Sequence, residues 1–166
     1  MRFLILAAGV VLAGCSADQP RANETTANLA APEPAANQSA AGNETASVTG
    51  PLAGYVGKYP FDKLDGKTFF EQPLVRSAVE GAVRDAAIRT WIFEKAGPQA
   101  PIAVVEGRLA AWGCEAHNCG PHQWTVLVAP DGHDAQVCYQ PDGADKPVWY
   151  AGGEKIARTD PCPSGE

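Results

Sequence analysis

Residues 114–122 read Cys-Glu-Ala-His-Asn-Cys-Gly-Pro-His, so two cysteines and two histidines fall within nine residues. Three chemistries suit that composition. Cys114, His117, Cys119 and His122 could offer zinc two thiolates and two imidazoles. A thiolate beside a histidine base is the core of a cysteine nucleophile. Alternatively, the two cysteines close a small ring that displays His117 in one shape, which limits the freedom lost on binding a partner. The choice depends on whether the thiols are free, and so on the compartment.

The N-terminus bears on that. Met1-Arg2 precedes an uncharged apolar run, Phe3 to Leu12, the pattern of a secretory signal too short to span a bilayer as a mature helix. The run closes on Leu12-Ala13-Gly14-Cys15, which resembles the lipobox of bacterial lipoproteins. That resemblance implies removal of residues 1–14 as a signal peptide and lipidation of Cys15. Ser16, standing where an inner-membrane retention signal usually has Asp, points by the same resemblance to the outer membrane. The expected location is the periplasm, with the chain anchored to the membrane through Cys15. Residues 15–51 hold that cysteine and a stretch of Ala, Asn, Thr, Glu, Pro and Ser without an aromatic residue. Such a segment buries too little apolar surface to offset its ordering entropy and is expected to be a disordered linker.

Residues 52–166 are then the folded domain, of ordinary single-domain size. Of 13 Lys and Arg, Arg2 and Arg21 precede it; of 19 Asp and Glu, Asp18, Glu24, Glu33 and Glu44 do, which leaves the domain at −4. No basic patch stands out, and this argues against a nucleic-acid partner. Four of the five cysteines remain after Cys15: Cys114, Cys119, Cys138 and Cys162. An even number in an exported chain indicates disulfides, and four allow three pairings. Cys114–Cys119 is the local one, and Cys138–Cys162 would then pin the C-terminal tail.

Those bridges weigh against two of the three chemistries. A disulfide removes both thiolates from zinc, and zinc sites usually draw ligand pairs from two separated segments rather than one. A cysteine nucleophile needs a free thiol. No G-x-S-x-G is present, and no carboxylate pair stands in a catalytic context. The chain is therefore expected not to be an enzyme and to need neither cofactor nor metal. What remains is a bridged loop of Cys114, Glu115, Ala116, His117, Asn118 and Cys119, in which His117 is either a presented contact or a solvated histidine without a role. His122 at the loop base reads as a solvated residue at a strand start.

The elements that would carry this loop follow from periodicity. Pro73 opens a helix whose Leu74, Val75, Ala78, Val79, Ala82 and Val83 recur at helical spacing, and Asp85 caps a second, Ala86 to Phe93. Strands follow at Ile102–Val105, Leu109–Trp112, Gln123–Val128, Ala135–Tyr139 and Val148–Tyr150, with turns at Glu106-Gly107 and Asp131-Gly132. Helices first and consecutive strands after predict an α+β domain: an antiparallel meander of about five strands packed against helices on one face. The nine-residue stretch then joins two strands.

Trp112-Gly113-Cys114-Glu115-Ala116-His117-Asn118-Cys119-Gly120, followed by a strand, resembles the Ivy family, inhibitors of vertebrate (c-type) lysozyme, whose signature loop is C-K-P-H-D-C. The layout agrees over most of residues 55–151, the motif only over 114–120. The resemblance implies that the bridged loop enters the lysozyme active-site cleft and that His117 hydrogen-bonds the catalytic carboxylates. Glu115, Ala116 and Asn118 depart from the Lys, Pro and Asp usual there. The implied partner is c-type lysozyme or a related muramidase, besides the membrane reached through the lipid; a homodimer stays open. Two alternatives are a metal-binding or structural envelope lipoprotein and a regulator of the cell's own lytic transglycosylases.

Overall fold

The computed structural model describes residues 47–95 and 97–164. Residues 1–46, which include the expected signal peptide, Cys15 and most of the expected linker, lie outside the described residues. Two α-helices and one six-stranded sheet, preceded by short 3-10 turns at Ala53–Tyr55 and Phe69–Glu71, give the described part an α+β fold.

Helix α1 spans Pro73–Ala82 and begins on the proline, whose missing N–H costs nothing in a first turn. It buries Val75, Ala78, Val79 and Ala82 along one stripe, against β3, β4 and β5 as defined below. Each fully buried aliphatic side chain of valine size or larger contributes roughly 1.5–3 kcal/mol. Helix α2 spans Ala86–Glu94, and the Asp85 carboxylate accepts from the N–H groups of Ala87 and Ile88 at 2.8 and 3.3 Å, satisfying two of its free donors.

The strands are β1 (Ala103–Val105), β2 (Arg108–Cys114), β3 (Gln123–Val128), β4 (Ala135–Gln140), β5 (Val148–Ala151) and β6 (Glu154–Ile156). Each pairs antiparallel with its neighbour in sequence, so the sheet order is β1-β2-β3-β4-β5-β6. Glu106 and Gly107 both have positive φ, 53° and 72°, as the twist-matched two-residue hairpin turn requires. The meander has six strands rather than about five. The extra one, β6, is three residues long, starts with two exposed charged side chains, and has no alternation for a sequence reading to detect.

Alternation in β2, β3 and β4 divides the core. Leu109, Ala111, Trp124, Val126, Val128 and Val137 face the helices. Ala110, Leu127, Cys138 and Trp149 face the other way, where the C-terminal segment covers them. The Cys138–Cys162 bridge holds that segment, Thr125 Oγ1 donates to the Pro163 carbonyl at 2.7 Å, and Trp149 Nε1 donates to the Asp160 carbonyl at 2.9 Å. Arg158 lies over the Trp149 ring, 3.8 Å from its centroid, and reaches Glu106 and Asp160 with its guanidinium.

Candidate functional site

The 115–122 loop leaves the sheet between β2 and β3, two interior strands. Its base is fixed by close packing. Gly113 stands opposite Trp124 in the ladder, and a Cβ there would lie 2.5 Å from the indole, so only glycine lets the ring cross the strand. The Cys114 N–H donates to the Pro98 carbonyl at 3.1 Å, which ties the end of β2 to the segment leading out of α2. On the far side Gln123 accepts from Trp112 Nε1 at 2.7 Å and donates to the Gly120 carbonyl at 2.9 Å.

Cys114 and Cys119 are bridged, with Cα atoms 4.8 Å apart. A ring this small restrains the unfolded chain modestly, roughly 2 kcal/mol in a chain-entropy account, so its main effect is local shape. Within it the Asn118 N–H donates to the Glu115 carbonyl at 3.0 Å, which makes Glu115–Asn118 a tight turn. His117 occupies its third position with φ 66°, where a side chain is uncommon and glycine or asparagine is usual. Glu115, Ala116 and His117 are exposed and Asn118 is half-buried. His117 therefore stands at the tip of a closed turn, on solvent.

The polar groups of the loop satisfy one another. Asn118 Nδ2 donates to Glu115 Oε2 and to Asp142 Oδ1, both at 3.0 Å, so one amide joins two carboxylates. Glu115 Oε2 also lies 2.9 Å from His122 Nδ1. These bonds, first that from Asn118 and then that from His122, hold the Glu115 carboxyl below the usual glutamate range. Burial, with Asp85 and Glu115 nearby, pushes the Tyr139 phenol up.

His122 is not the solvated strand-start residue that the sequence suggests. Its ring is half-buried and lies parallel to Trp91 of α2, with centroids 4.0 Å apart and planes at 16°. Its Nε2 is 3.3 Å from the Tyr139 hydroxyl. Trp91, Tyr139 and Asp142 were not legible as parts of the site. Their only sequence signal is aromatic or acidic type, Trp91 within α2 and Tyr139 and Asp142 around the end of β4, and nothing local says which loop they meet. The two histidines and two cysteines that could have formed a metal site are separated in role. Both sulfurs are in the bridge, His122 is packed inward, and His117 points outward on the tip.

A family model described as Inhibitor of vertebrate lysozyme (Ivy) matches residues 76–163, more than half of the chain, including the loop and all six strands. No curated protein and no solved structure matches the chain.

Proposed function

The chain belongs to the Ivy family, inhibitors of vertebrate lysozyme, and from that premise we propose that it inhibits a c-type lysozyme by placing the His117 turn in the active-site cleft. One observation carries this: His117 is exposed at the tip of a bridged turn and held in a left-handed conformation by bonds among its neighbours. A lysozyme cleft presents two carboxyl groups, one protonated as the acid and one ionised. An imidazole has two ring nitrogens and can bond both groups at once. Charge-assisted hydrogen bonds in a partly dry cleft are among the stronger polar contacts, and the loop occupying the cleft excludes the glycan. The chain itself performs no chemistry in this scheme. The proposal includes an envelope location, with Cys15 lipidated, residues 15–51 as tether and residues 52–166 as the inhibitory domain.

The test uses the exported chain with Cys15→Ser, added to basic c-type lysozyme clearing a cell-wall suspension. Wild type is expected to slow clearing, and His117→Ala to need at least about tenfold more protein, the loss of one charge-assisted contact. Equal inhibition by both would move the binding surface away from the loop. Inhibition of a lytic transglycosylase in place of lysozyme would select the alternative target.

A further inference from the structure

We propose that His122 is a positioning residue for the His117 turn, acting on any partner only through Glu115. Its binding consequences rest on the inhibitory role above, whereas its effect on loop order is a property of the free protein.

His122 is wedged between two rigid elements. Trp91 of α2 supplies the stacking plate on one side, and Tyr139 of β4 lies edge-on to the ring, 5.9 Å between centroids. From that seat it ties both strands of the loop. Its carbonyl accepts from the Glu115 N–H at 3.1 Å, its N–H donates to the Asn118 carbonyl at 3.0 Å, and its Nδ1 meets the Glu115 carboxylate at 2.9 Å. An ionised carboxylate can only accept, so Nδ1 carries the proton and in the neutral ring Nε2 is left to accept from the Tyr139 hydroxyl. The same Glu115 oxygen takes the Asn118 amide. Glu115 and Asn118 are the first and last residues of the turn whose third residue is His117.

Fixing Glu115 and Asn118 therefore fixes the backbone around His117. That backbone sits at φ 66°, a region that a residue with a side chain holds only when its surroundings determine it. Once the Glu115 anchor is gone, the turn samples other conformations and the binding-competent fraction falls. Apparent affinity falls by that same fraction. The His122 side chain is only 20% exposed, so it offers a partner little surface of its own. Losing it should slow association and leave the bound complex, once formed, to dissociate as before.

The experiment compares wild type, His122→Phe, His122→Gln, Glu115→Ala and each His122 variant in the Glu115→Ala background. Two measurements are made: association and dissociation rates with c-type lysozyme, and amide hydrogen exchange of residues 115–119 in the free chain. Phenylalanine keeps the stack on Trp91 and removes the ring nitrogens. Glutamine keeps a donor for Glu115. The expected result is association slowed about tenfold in His122→Phe, with dissociation changed less than about twofold and most of the rate kept in His122→Gln. With Glu115→Ala in place, His122→Phe should cost no more than about twofold. Loop amides should exchange faster in His122→Phe while those of β3 do not. A full tenfold loss that persists without Glu115, a loss confined to dissociation, or loop exchange equal to wild type would each overturn the proposal. If wild type does not bind lysozyme at all, the inhibitory role fails, and the exchange comparison alone decides the positioning role. If His122→Phe loosens β3 as well, His122→Gln decides: wild-type loop exchange supports the bond to Glu115, and fast loop exchange over a protected β3 overturns it.

Discussion

Glu115 and Asn118 are the two departures from the family's loop pattern that can be understood together. Asn118 stands between two carboxylates, Glu115 and Asp142, and its amide donates to both. An aspartate there would have no side-chain N–H to give and would bring a third negative charge to the cluster. Asn118→Asp is therefore expected to weaken lysozyme binding about fivefold, a loss of the size that like charges at an exposed site produce. With Glu115→Lys already in place, which itself gives up the bond to His122, Asn118→Asp should cost less than about twofold, because the lysine can face both the introduced carboxylate and that of Asp142. A double-mutant cycle on the dissociation constant checks this, and simple additivity would show that the two positions act independently. In the sequence the loop's cysteines and His117 stand out by type and spacing. The bonds among Glu115, Asn118, His122 and Asp142 do not, because they depend on a strand register and a turn 24 residues downstream of Asn118.

The elements were legible where residue type or period marks them. The stripe in α1 follows from a period imposed by one buried face, the Asp85 cap of α2 from a carboxylate standing where free N–H groups need an acceptor, and β3 from the alternation of Trp124, Val126 and Val128, although Thr125 and Leu127 on its other face are buried as well. Strand β6 escaped because an edge strand of three residues, two of them charged, carries no such period. The extension of β2 through Gly113 and Cys114 escaped for another reason: glycine reads as a break, yet here it is the space for Trp124. Gly113→Ala should accordingly destabilise the domain by about 1–3 kcal/mol, the range of overpacking in a filled core. Denaturant unfolding monitored by tryptophan fluorescence measures it. A change below the error of that measurement would mean that the indole can turn aside at no cost.

At the scale of the molecule, the two bridges have separate duties. Cys138 and Cys162 are buried, and their bridge closes 24 residues and clamps the C-terminal segment over the second face of the sheet. Loop closure of that length is worth roughly 3–4 kcal/mol. Cys119 of the loop bridge is half-exposed. Mild reductant is expected to open Cys114–Cys119 first, removing inhibition while the fold persists, and Cys138→Ala with Cys162→Ala to cost about 3 kcal/mol of global stability. Peptide mapping of alkylated cysteines against reductant concentration, beside an unfolding curve, tests both. Simultaneous opening of the two bridges would contradict the division of labour. From sequence, Cys162 indicated a pinned tail. That the tail is a cover was not legible, since it acts through backbone carbonyls accepting from Thr125 and Trp149 rather than through an apolar pattern.

The meander ends on two strands of only three residues each, β1 and β6. So short a rim gives an incoming chain almost no ladder to extend, and the sheet is closed to growth by strand addition. On the inhibitory reading, recognition is then expected to rest on side chains rather than on main-chain pairing. Selectivity for one target over another can accordingly drift residue by residue on the loop while the scaffold beneath stays the same.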